Sequence, residues 1–198
     1  MSTDALLALI AYAFVTSVTP GPNNLMLLAS GVNFGFRRTV PHMLGIGGGF
    51  LSLLLAVGLG LGTLLAAFPA LHLGLKVAGG AYLLYLAWRI AASRSMGRGA
   101  EAGERPMTFL EAAAFQWVNP KAWVMAVSAM AVYASPADPF QSVLIVAAAF
   151  AAVNVPSVSV WAGFGTALRG FLADSARLKW FNIGMGLLLV ASLWPMLR

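Results

Sequence analysis

The sequence has no cysteine and very little charge. Only 9% of its 198 residues are Asp, Glu, Lys or Arg, and just 6 of them are acidic. Without cysteine there are no disulfides, thiolate metal sites or cysteine nucleophiles. His42 and His72 stand alone, which leaves no ligand set for zinc. Neither GxSxG nor HExxH is present, so the common hydrolase signatures are missing and an enzyme is not expected. No cofactor and no metal is expected either. A soluble domain carries about 25% charged residues, so a soluble globular protein is excluded on composition.

Apolar residues make up 60% of the chain, and the mean hydropathy is +0.85. The net charge of +6 is too thinly spread for a phosphate-binding face and reads instead as a membrane-topology signal, so nucleic acid is not an expected partner. A span needs about 20 apolar residues. Six stretches qualify, at about 6–31, 40–68, 73–92, 109–134, 140–168 and 180–197. The expected fold is therefore an all-α integral membrane protein of six spans. Asp4 and the lack of an early basic residue argue against a cleaved signal peptide.

Arg37, Arg38, Arg89, Arg94, Arg98, Arg105, Arg169, Arg177 and Lys179 fall on one side of this arrangement, against Arg198 and Lys76 on the other. The first side is then cytoplasmic, and both termini are external. Three spans per half would invert one half relative to the other. Residues 1–92 and 107–198 are expected as two inverted three-helix repeats, joined by a cytoplasmic linker at 93–106. Gly80 aligning with Gly186 and Trp88 with Trp194 supports the repeat, as do matched breaks in spans one and four.

Those breaks are the informative motifs. Pro20 and Pro22 remove backbone donors, and Gly21 frees the chain between them. Asn119-Pro120 reads as a cap followed by a first-turn proline, a helix start. At 1.5 Å per residue, the breaks lie about 21 Å and 17 Å from opposite surfaces, near the midplane. Each restarted helix points free N–H groups and a partial positive charge inward, an arrangement that suits a carboxylate.

Thr19, Pro20, Gly21, Pro22, Asn23, Asn24, Asn119, Pro120, Lys121 and Asn154 are thus the expected substrate-binding residues. Lys121 is the one ionisable residue deep in a span, and such a charge is functional by default. The alternative is a lysine that merely bonds freed carbonyls. Asn154, near Pro156, either adds a polar point or bonds a neighbouring helix. Gly45, Gly49, Lys76, Tyr82 and Tyr85 are weaker pathway-lining candidates. Close helix packing for the glycines, snorkelling for Lys76 and packing for the tyrosines compete with that role. Thr108 and Glu111 match a capping box, which takes Glu111 out of consideration as a proton carrier.

Thr19-Pro20-Gly21-Pro22-Asn23-Asn24, Gly35-Phe36-Arg37, the glycine-rich second stretch, 80-GAYLLYLAWR-89 and Asn119-Pro120-Lys121-Ala122 resemble the LysE/RhtB family of amino-acid exporters over essentially the whole chain. The Gly-Phe pattern in the second stretch and Phe115-Gln116-Trp117-Val118-Asn119 look most like its cysteine/O-acetylserine branch. The resemblance implies an exporter in the bacterial inner membrane, driven by the proton motive force. Its substrates would be neutral amino acids or derivatives, cysteine/O-acetylserine-like or threonine/homoserine-like. Phe50 and Asn154 stand where many members carry acidic residues. A coupling scheme built on those carboxylates does not carry over, and a dibasic substrate would lack a partner. The expected partners are an amino-acid substrate, the lipid bilayer and, as an option, a second copy in a homodimer. The competing reading is a small channel or scaffold subunit without coupled transport.

Overall fold

The computed structural model describes residues 1–62, 67–94, 96, 105–135 and 137–194. Arg98 and Arg198, the linker positions 97–104, and the side chain of His72 lie outside the described residues. The chain is all-helical: α1 (Thr3–Val18), α2 (Pro22–Phe34), α3 (Phe36–Ala56, continued by a π-helical turn at Val57–Leu61), α4 (Pro69–Ala92), α5 (Phe109–Gln116), α6 (Pro120–Tyr133), α7 (Pro139–Ala167) and α8 (Ser175–Ala191), with a 3-10 turn at Phe171–Ala173 before α8.

The expectation of six spans in two inverted three-helix repeats is overturned. Among the described residues, two helices are long and apolar enough to cross a membrane, Phe36–Leu61 and Pro139–Ala167. A third is added only if α1 and α2, bent by 54°, count as one broken span. The physical reason is that an apolar run is not a helix. The break before Pro120 divides one such run into helices of 8 and 14 residues, and α8 has 17. Helix α4 has the length, at 24 residues, but over its described residues it is not apolar enough to count. No clear two-times-three repeat is evident either, and the closest packing joins the two halves of the chain: α2 to α7, α3 to α5 and α4 to α8.

Small residues set these contacts. At Gly31 of α2, an added Cβ would meet the Ala162 carbonyl of α7, and at Gly165 of α7 it would meet the Leu28 carbonyl of α2. The two backbones therefore touch. Gly45 and Gly49 do the same for α3 against Phe109 and Ala113 of α5. Two apolar clusters flank the break region. One is built on Leu27, Ile46, Leu83 and Phe115. The other is built on Leu9, Leu53, Val146 and Phe150.

Gly31→Leu should force α2 and α7 apart and lower stability by about 1–3 kcal/mol, the usual effect of overpacking. Gly163→Ala, where an added Cβ meets nothing within 4 Å, should not. Melting of the two variants in detergent checks this.

Candidate functional site

Helix α1 ends at Val18 and α2 begins at Pro22, so the last carbonyls of α1 have no helical partner. Side chains replace the missing donors. The Asn24 amide donates to Ser17 O at 2.8 Å and Thr19 O at 2.9 Å. The Trp161 indole donates to Val18 O at 3.2 Å. Lys121 Nζ donates to Thr19 O at 2.7 Å and contacts Thr19 Oγ1 at 3.0 Å. Gly21 sits directly against this lysine, since an added Cβ would lie 2.7 Å from Lys121 Cδ.

The second break is built similarly. Asn119 caps α6, its side chain accepting from Lys121 N at 3.1 Å, and Pro120 takes the first turn, where no donor is needed. The start of α2 meets the end of α5, just before the second break, through a reciprocal amide pair. Asn23 Nδ2 donates to Gln116 Oε1 at 2.8 Å, and Gln116 Nε2 donates to Asn23 Oδ1 at 3.1 Å and Ala112 O at 3.0 Å. Gln116 was not singled out as a site residue, because its role depends on a partner 93 positions away. Its two-donor, two-acceptor amide in an apolar run was the only signal.

Together these residues line a partly open cleft of about 370 Å³. Ser17, Gly21, Asn23, Asn24, Asn119, Lys121 and Asn154 all border it, as do Thr16 and Gln116. Thr19 reaches it through Lys121, while Thr19 and Pro20 are themselves exposed and Pro22 is buried. Among the cleft's buried side-chain atoms, Asn154 Oδ1 and Ser17 Oγ have no partner in the protein. The Lys121 ammonium has no carboxylate partner, since the one ion pair among the described residues joins Arg105 to Glu111. Asn23 and Asn24, expected to face substrate, are engaged by Gln116 and by α1 carbonyls.

The weaker candidates lie elsewhere. Gly45 and Gly49 pack on α5. Tyr82 stacks on Tyr85 at 6.0 Å and tilts against Phe115 at 5.8 Å. Lys76 is half-buried on α4 and does not border the cleft. Glu111 closes the α5 capping box, accepting from Thr108 N at 2.8 Å, and binds Arg105 at 2.6 Å.

A family profile described as LysE type translocator matches residues 14–191. The chain belongs to this family. It is thus a multi-pass membrane transporter of small amino-acid-like solutes, and not an enzyme. The cysteine/O-acetylserine efflux protein of Escherichia coli K12 is 32% identical over 192 residues, 96% of each chain. Its namesake in Shigella flexneri has the same identity and coverage. That of Escherichia coli O139:H28 is 36% identical over 137 residues, 69% of each chain. No solved structure matches. Within the LysE-type frame, the branch read from Phe115–Asn119 agrees with these relatives.

The Asn23–Gln116 pair yields a test. Asn23→Leu or Gln116→Leu alone should each cost about 1–3 kcal/mol by taking the reciprocal bonds from the buried Gln116 amide or the half-buried Asn23 amide. The double variant should cost less than the sum. A double-mutant cycle of detergent melting measures the coupling.

Proposed function

We propose that this LysE-type translocator exports neutral amino acids of the cysteine/O-acetylserine or threonine/homoserine kind, driven by the proton motive force. The cleft at the two helix starts is its substrate site. One observation carries the reading: an ammonium without a carboxylate partner lies in the same cleft as an unpartnered amide oxygen and hydroxyl. These are the complements of a zwitterion. Lys121 takes the substrate carboxylate, aided by the partial positive ends of α2 and α6. Asn154 Oδ1 and Ser17 Oγ accept from the substrate ammonium. The Lys121 ammonium has three donors, so it can hold Thr19 and still reach a ligand.

The lack of a carboxylate in the cleft favours neutral cargo, because a second ammonium would go unpaired. The names of the relatives point the same way. The arginine-rich end, with Arg37, Arg169 and Arg177, faces the cytoplasm, by the excess of Lys/Arg there.

Lys121→Met keeps the apolar stem and removes the charge. In proteoliposomes it should raise the KM for O-acetylserine about ten- to a hundredfold, the worth of a charged hydrogen bond. Wild type should prefer cysteine, O-acetylserine or threonine to lysine, with saturable efflux that responds to an imposed pH gradient. An unchanged KM in correctly inserted Lys121→Met would refute the site, and non-saturable conductance would favour a channel. Reporter fusions after Arg37 and Arg177 should read cytoplasmic, and one near Asp138 external.

A further inference from the structure

A second, half-open cavity lies between α2, α4 and the segment leading into α5, with about 550 Å³ of space counted out into the solvent. Its polar wall holds Ser30, Asn33, His42, Arg89, Ser93 and Arg105, and the remainder is methionine, leucine and other apolar side chains. It lies toward the far end of α2 from the cleft. From Asn23 to Asn33 the helix rises about 15 Å. Between the two stand the Asn23–Gln116 pair and the fully buried Leu27, Ile46 and Ala112.

Among the described residues the charges lining this cavity do not balance. Glu111 neutralises Arg105 through two bonds of 2.6 and 2.7 Å. Arg89 has no carboxylate partner among the described residues. It makes one long bond, 3.5 Å to Arg105 O, and lies over the Tyr85 ring at 5.8 Å. The same wall holds His42, 1% exposed, with neither ring nitrogen bonded to protein. Buried polar groups are nearly always paired, so an unpartnered imidazole in a cavity wall points to a ligand or water there.

Other polar groups are fixed by one another. Asn33 and Asn182 exchange hydrogen bonds of 2.9 and 3.1 Å. Thr39 donates to Gly35 O at 2.9 Å, so Ser30 is the donor in the 2.9 Å Ser30–Thr39 contact. What is left over is a guanidinium fork and an imidazole. A guanidinium matches a carboxylate through two parallel bonds. The apolar remainder of the wall suits a short, neutral body.

We propose that this cavity is a second binding station for a small organic carboxylate, with Arg89 holding the carboxylate and His42 adding a bond from the wall. Resting on the reading that the chain carries amino acids, the station loads cargo before it reaches the cleft, and the Asn23–Gln116 pair closes the way between.

The chain has no cysteine, so Ile90→Cys puts a single thiol into the wall. In proteoliposomes of zwitterionic lipid, O-acetylserine at ten times its dissociation constant should slow alkylation of that thiol about tenfold. Acetate should protect as well. Adding Arg89→Gln should raise the half-protecting concentration about ten- to a hundredfold. Arg89→Lys, which keeps charge but loses the fork, should fall between and serves if the glutamine variant misfolds. Adding Lys121→Met should leave protection intact. Efflux of O-acetylserine without protection by either carboxylate would overturn the station. Protection by acetate without any efflux would uphold it and refute the cargo reading. Protection by phosphatidylglycerol vesicles alone would overturn it and assign the cavity to a lipid phosphate.

Discussion

Backbone carbonyls that lose their helical partners must find others, and the rest of this structure is arranged around that constraint. In a medium without water an unpaired carbonyl costs several kcal/mol. Three are released where α1 ends, and donors from three other helices meet them: Asn24 from α2, Lys121 from α6 and Trp161 from α7. The break therefore fixes the positions of those helices. Gly21 follows from the same geometry, since a side chain there would collide with Lys121.

This explains how one lysine can have two roles. Bonding a freed carbonyl and attracting a carboxylate are usually weighed as alternatives for an intramembrane lysine. Here the bond to Thr19 holds the ammonium at the junction of two helix starts, where its charge has no carboxylate partner. A positioned but unneutralised charge is what a reversible anion site requires. A paired one would have to break an ion pair each cycle.

Much of the local chemistry could be read from the chain. Pro20, Pro22, Asn119 and Pro120 mark breaks that exist, and the Thr108–Glu111 capping box forms as its spacing suggests. These signals are short-range, governed by backbone sterics and donors within one turn. The six-span count failed for a related reason. Hydropathy sums apolar residues along the chain, so the run broken at Asn119-Pro120 counts as one interrupted span, although its two helices have only 8 and 14 residues. The partnership of Asn23 with Gln116 was not legible, because neither position has a local reason to expect the other. Gly45 and Gly49 had two readings, close packing or a smooth wall, and only the approach of α5 separates them.

The distribution of charge joins the two cavities into one path. In each, among the described residues, one cation lacks a carboxylate partner: Arg89 in the wall that holds a buried imidazole, and Lys121 in the cleft that holds an unpartnered amide oxygen. A carboxylate leaving one site thus finds the same attraction in the next, and neither site binds it with two full charges. Moderate, repeated attraction permits release, whereas one deep well would trap the ligand. The apolar plug between them, with its amide pair, keeps the two sites from merging into an open pore. An amide pair suits that place better than an ion pair, because it can part and re-form without exposing a bare charge to the bilayer interior.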